Sequence, residues 1–167
     1  PYAFYQSWIQ AEDSKVGEYL RQFTFVSVDE IAALEAEHAE KPGLRAAQRR
    51  LAAEVTTIVH GADEAAAAEL ASGALCGRAE LTDLPEATLT AALREAGAVE
   101  LAAADSPTVV DAFVATGLAD SKSAARRAVA DGGAYVNNER VTDPELVLSS
   151  THLLHGKWVV LRKGKRA

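Results

Sequence analysis

One cysteine, Cys76, in 167 residues leaves no partner for an intrachain disulfide and fits a reducing compartment. No apolar run approaches the ~20 residues that a membrane-spanning helix needs. The start, Pro1-Tyr2-Ala3-Phe4, lacks a basic region followed by an apolar core, so a signal peptide is not expected. A cytoplasmic setting without a membrane partner follows as the expectation. The chain has no Walker loop, dinucleotide fingerprint or nucleophile elbow. His152 and His155 stand three apart with no cysteine or third ligand nearby, a poor metal set. Cys76 reads as a small buried hydrophobe and His60 as a helix-terminus histidine. No catalytic constellation, metal site or cofactor is expected in the chain itself.

The charge is more informative once it is divided. Residues 1–105 carry 8 Lys and Arg against 18 Asp and Glu, a balance of −10, whereas residues 106–167 carry 9 against 6, a balance of +3. The net −7 argues against indiscriminate nucleic-acid binding. A basic end on an acidic body is the asymmetry of a polyanion-binding module.

Alanine supplies much of the apolar fraction and favours helix over sheet. Residues 1–97 read as a series of helices. In the first, Tyr5 and Trp8 share a face. Asp13 stands where it would cap a second helix ending at Gln22, before an extended Phe23-Thr24-Phe25. Ser27 and Glu30 have the spacing of a capping box, and Lys41-Pro42-Gly43 stops the helix they open. Leu44, Ala47, Leu51, Val55, Ile58 and Val59 then recur at helical spacing up to Gly61. An alanine-rich helix is expected over 63–72, and another over 85–96 capped by Asp83.

Residues 98–105 read as a linker, because charge sign and secondary-structure type both change there. Beyond it, Ser106-Pro107 predicts a helix start, with the serine at the cap and proline in the first turn. Val110, Phe113 and Val114 form the stripe of that helix, and Gly117 ends it. Ser121 caps the next helix. The period then falls to two: Tyr135-Val136 and Arg140-Val141 flank an Asn-Asn turn, and residues 157–162 form a closing strand.

Three basic groups could meet a polyanion. Lys122 and Arg126 lie four apart with Arg127 adjacent, over a packing side of Ala124, Ala125, Ala128 and Val129. Gly132-Gly133, the turn at Asn137 and then Arg140 follow closely. The same pattern describes a solvated basic helix face. Arg162, Lys163 and Lys165 form a basic tail that either extends this surface or only aids solubility. Arg45 and Arg49, with Arg50 beside them, are the cluster in the acidic half, and pairing with Glu54 is the alternative use.

The residues from Val109 to Gly117-Leu118, with Ser121-Lys122-Ser123-Ala124-Ala125-Arg126-Arg127, Gly132-Gly133 and Tyr135-Val136-Asn137, resemble the alpha-L RNA-binding domain named after small-subunit ribosomal protein four. The first half is more specific. Pro1-Tyr2-Ala3-Phe4-Tyr5-Gln6 with Trp8, Tyr19-Leu20 to Phe25, and Ala47-Gln48-Arg49-Arg50-Leu51-Ala52 to Gly61 resemble bacterial tyrosyl-tRNA synthetases after their catalytic domain. Ser7 departs from the bulky aromatic usual before the tryptophan. The resemblance implies a mainly α chain: a helical anticodon-binding domain over 1–97, a linker over 98–105, and over 106–167 a small α+β domain of two helices and a short antiparallel sheet. It implies binding to the anticodon region, stem and variable arm of tRNA(Tyr). The family's HIGH-like signature and KMSKS-type loop do not occur, so the tyrosine activation that uses ATP and Mg2+ is expected of the parent enzyme, a homodimer through its catalytic domain. A family carboxylate near the first two helices reads the guanine at the first anticodon position, and Asp13 matches it best, with Glu12 as the alternative. A free-standing, ribosome- or tRNA-associated protein with an alpha-L domain is the second reading.

Overall fold

The computed structural model describes residues 1–101 and 107–164. By contacts the chain divides into two compact units, Pro1–Ser72 and Gly73–Ala167.

In the first unit the helices are α1 (Tyr2–Ile9), α2 (Val16–Phe23), α3 (Val28–Glu40), α4 (Ala46–His60) and the start of α5 (Ala62–Leu75). Helix α4 is its axis, because α1, α2 and α3 all pack on it. The buried face of α4 is Ala47, Gln48, Leu51, Ala52, Val55 and Thr56, a stripe at helical spacing. Leu51 meets Val16, Leu20 and Ile31 in the main core, while Tyr5, Ala52 and Ala68 form a smaller one. Burying a leucine such as Leu20 or Leu51 contributes about 1.5–3 kcal/mol. The stripe is narrower than the sequence predicts. Leu44, Ile58 and Val59 are about half exposed, and Leu44 belongs to the 3-10 turn Pro42–Leu44 that precedes α4.

Two local expectations change here for identifiable reasons. Asp13 does not cap α2, whose N-cap is Lys15, because its carboxylate accepts instead from the Gln48 amide. Phe23 remains helical as the last residue of α2, packed on Trp8 and Tyr19. Ser27 does cap α3, its Oγ accepting from the Glu30 N–H at 3.2 Å.

The second unit contains α6 (Glu86–Glu95), α7 (Val109–Ala115), α8 (Lys122–Ala130) and the strands β1 (Ala134–Val136), β2 (Glu139–Arg140) and β3 (Leu161–Lys163). The strands form an antiparallel sheet in the order β2-β1-β3, with Tyr135 opposite Arg140 on one side and Arg162 on the other. Val109, Val110, Phe113, Ala125, Val129, Ala134, Val136 and Val141 share one core, so α7, α8 and the sheet are a single packed layer pair. The hairpin turns at Asn137 and Asn138, φ 48° and 68°, the left-handed pair that a two-residue turn demands.

The predicted starts shift in this unit too. α6 is preceded by Pro85 without a side-chain cap, so Asp83 does not serve it. α7 is capped by Thr108, which accepts from the Asp111 N–H while Asp111 reaches back to the Thr108 N–H, a complete capping box. Pro107 precedes that cap, its carbonyl taking the Leu148 N–H, and Ser106 lies outside the described residues. The closing strand is shorter than 157–162 and ends later, because the Asn137 side chain accepts from the Val160 N–H where a strand neighbour would otherwise bond. α5 continues through Gly73 to Leu75 instead of stopping at Ser72. The division into units precedes the expected linker at 98–105, of which 102–105 lie outside the described residues. Leu84, Glu86 and Thr90 are bonded to His155, Lys157 and Trp158, which joins α6 to the second unit.

Candidate nucleic-acid interface

The cationic surface of the second unit begins with the underside of α8. Ala125, Ala128 and Val129 are buried, and Ser121 caps the helix by accepting from the Ala124 N–H at 3.2 Å. Small residues below force the long cations outward. Lys122 Nζ lies 2.7 Å from Asp111 Oδ1, and Arg126 lies 3.5 Å from Glu145, both as exposed pairs. The Arg127 side chain has no hydrogen bond or ion pair among the described residues and is exposed. Such surface pairs contribute ~0–1 kcal/mol and exchange readily for a phosphate.

Asp111 is the anchor of this surface. Hydrogen bonds from Lys122 and then Thr108 hold its carboxyl down at a pKa of about 2. The Asp111 carboxylate therefore fixes the start of α7 and holds the Lys122 ammonium in an exposed, exchangeable pair.

At the end of α8, Gly132 has φ +68°, and a Cβ there would fall 1.5 Å from a guanidinium nitrogen of Arg140. The guanidinium of β2 thus lies against the turn that ends α8. Arg140 and Lys163 are exposed and have no ion pair or side-chain hydrogen bond among the described residues. Arg162 is already engaged: its guanidinium stacks 4.2 Å from the Tyr135 ring centroid and donates to the Gly164 carbonyl. Asn137 is engaged at both ends, donating to the His152 carbonyl at 2.6 Å and accepting from the Val160 N–H at 2.9 Å. Lys165 and Arg166 lie outside the described residues.

The first unit carries the remaining candidates. The Arg45 guanidinium donates to the Ile9 carbonyl at 2.7 Å, tying α1 to the start of α4. Arg49 has no side-chain partner among the described residues, whereas Arg50 pairs with Glu30 and Glu54, both at 3.1 Å. Asp13 lines a pocket of about 340 Å³ with Gly17, Arg21, Glu35 and His38, near the lower end of small-ligand sites, about 300–1,000 Å³. Arg21 closes one wall through a bidentate pair with Glu35, at 2.9 and 2.8 Å, and this hydrogen-bonded pairing lowers the Glu35 pKa and raises that of Arg21. Gly17 permits this approach, since a Cβ on it would fall 1.8 Å from Glu35 Oε1.

The structure thus brings Lys122, Arg126, Arg127 and Arg140 into the second unit's α8 and adjoining hairpin, and Asp13, Arg45 and Arg49 into the first unit. Sequence reasoning missed the partners. Thr108 and Asp111 were detectable from their capping-box spacing. Glu145, Gln48 and His38 were not, because each is brought to its partner by tertiary packing. Among the described residues no group of three His, Cys, Asp or Glu side chains could hold a metal ion. No helix there is long and apolar enough to cross a membrane.

Residues 88–167 match a family described as the tyrosine–tRNA ligase SYY-like C-terminal domain, and residues 1–76 match the class I tRNA synthetases (W and Y). The tyrosine–tRNA ligase of Corynebacterium glutamicum is 54% identical over 166 residues, covering 99% of this chain and 40% of that protein. Those of Acidothermus cellulolyticus and Mycobacterium tuberculosis are 52% and 53% identical over 167 residues, covering 100% of this chain and 39% of each. The chain therefore spans about 40% of the length of these curated relatives. Both halves match one family in the same order, which disfavours a free-standing alpha-L protein. The chain belongs to the tyrosyl-tRNA synthetase family and corresponds to its carboxy-terminal region.

Proposed function

We propose that this chain is the tRNA-binding part of a cytoplasmic tyrosine–tRNA ligase, a class I enzyme that joins tyrosine to tRNA(Tyr) using ATP and Mg2+ and dimerises through its catalytic domain. Among the described residues, the donors and sheet do not fit ATP and Mg2+. The three-stranded sheet is antiparallel and offers no nucleotide crevice at the ends of parallel strands. The chemistry is therefore assigned to the remaining length of the enzyme, and this chain binds and orients the substrate RNA.

The helical part, 1–97, takes the anticodon region, and the alpha-L part, 106–167, grips the stem and variable arm. The observation that carries this reading is α8, whose buried alanine side holds Lys122, Arg126 and Arg127 outward, with Arg140 against the turn that ends the helix. Structured RNA is held largely through phosphates and 2′-hydroxyls, and cations on a rigid helix supply that grip. Lys163 extends the same surface, while Asn137 and Arg162 serve it by holding the hairpin. Arg49 offers a phosphate contact in the first unit, where Arg45 fixes the backbone. Asp13 accepts from the N–H and amino donors of the guanine at the first anticodon position, and it lines a pocket of about 340 Å³.

Titration of the chain with a tRNA(Tyr) transcript across a salt series tests the reading. Binding should weaken steeply with salt, and Arg126→Glu with Arg127→Glu should weaken it broadly and flatten the slope. Salt-independent binding, or unchanged binding by the double variant, overturns it.

A further inference from the structure

The Asp13 carboxylate is held at one of its two oxygens. Gln48 Nε2 donates to its Oδ1 at 2.7 Å, and His38 Nε2 stands 3.5 Å from the same oxygen. Gln48 is completely buried on α4, and its Oε1 has no hydrogen-bond partner among the described residues. His38, on α3, is 13% exposed, whereas the Asp13 side chain is 65% exposed. A buried amide and a half-buried imidazole on two helices therefore converge on one oxygen of a largely exposed carboxylate that lines the pocket.

A buried amide with an unsatisfied carbonyl is destabilising. Core packing does not require an amide here, because a methionine or leucine would fill nearly the same volume without an unpaired acceptor. The bond to Asp13 is the side-chain amide's one hydrogen bond among the described residues, and it leaves Asp13 Oδ2 as the carboxylate oxygen with no hydrogen bond among them. Recognition of a guanine edge depends on where acceptors sit, since a displaced carboxylate keeps its charge but loses its bonds to the N–H and amino donors.

We infer that Gln48 is a positioning residue for base selection, aiming Asp13 through the Oδ1 bond, with His38 as the second restraint. This rests on the assignment of Asp13 as the guanine reader. Gln48 itself does not touch RNA.

The test uses the full chain with tRNA(Tyr) transcripts carrying guanine or adenine at the first anticodon position. Gln48→Met should reduce the preference for guanine at least tenfold while leaving affinity for the adenine transcript within about twofold. Asp13→Glu changes an exposed residue and retains the charge, so it serves if Gln48→Met does not fold. It should lose the preference likewise, because its longer arm cannot keep both the Gln48 bond and the outward aim. Full preference in folded Gln48→Met, or in Asp13→Glu where Gln48→Met does not fold, overturns the positioning role. The underlying assignment fails separately, if Asp13→Ala retains the preference.

Discussion

Arg127 and Glu145 allow the phosphate surface to be tested with opposite signs. Each phosphate neutralised by a cation releases counterion, so the logarithm of affinity falls by about 0.7–0.9 per contact for each decade of salt. Between about 50 and 200 mM salt this is roughly threefold per contact, so three α8 cations together would lose about thirtyfold. Arg127 gives up no partner among the described residues to meet a phosphate. Arg127→Ala should therefore lower the salt slope by about 0.8, and its deficit against wild type should shrink about threefold across that range. Arg126 must first leave Glu145, 3.5 Å away. An exposed pair is worth about 0.2–1 kcal/mol, so Glu145→Gln should tighten binding about 1.5- to 5-fold. Fluorescence anisotropy with labelled tRNA(Tyr) at four salt concentrations reads both effects. An unchanged slope in Arg127→Ala, or weaker binding by Glu145→Gln, refutes the reasoning.

Two further outcomes follow from the site's supports. The Asp111 pKa is depressed in the fold from 3.8 to about 2, so its stabilising effect is complete above the unfolded value and fades as pH falls towards about 2. Thermal melts of wild type and Asp111→Asn should differ at neutral pH and converge in that acid window; a difference that persists unchanged at the acid end contradicts the assignment. Gly132→Ala meets a left-handed backbone, φ +68°, costing about 1–2 kcal/mol. It also displaces the Arg140 guanidinium, whereas at Gly133 an added Cβ finds only an ordinary contact of 3.5 Å. Denaturant unfolding should therefore rank Gly132→Ala clearly below Gly133→Ala, and equal stability would count against it.

The sequence displays this architecture well where local chemistry decides it. Ser27 and Ser121 cap as their spacing predicts, and the Asn-Asn turn takes the left-handed pair expected of it. Local rules fail where a distant group competes. Asp13 is a sound cap by composition, but Gln48, 35 residues away, holds its carboxylate. The closing strand is shortened by Asn137, 23 residues from Val160. Periodicity overcounts α4 because Ile58 and Val59 satisfy the spacing whether or not anything covers them, and single exposed apolar residues cost little.

The same competition separates cations that resemble one another in sequence. Arg45 and Arg49 are one helical turn apart, but the Arg45 guanidinium fastens Ile9 to α4 and Arg49 fastens nothing among the described residues. A phosphate gains from a guanidinium only the surplus over the bonds it abandons. For Arg45 that includes a charge-assisted bond worth about 1.5–3 kcal/mol and the packing it maintains. Arg162 faces a similar loss at Tyr135 and Gly164. Cations such as Arg127 and Arg140 abandon no ion pair or side-chain hydrogen bond among the described residues, and Lys122 and Arg126 abandon only exposed pairs. Affinity for a polyanion therefore concentrates on α8 and its neighbouring hairpin. Substituting Arg45 acts first on the helical scaffold, which also supports the Asp13 pocket.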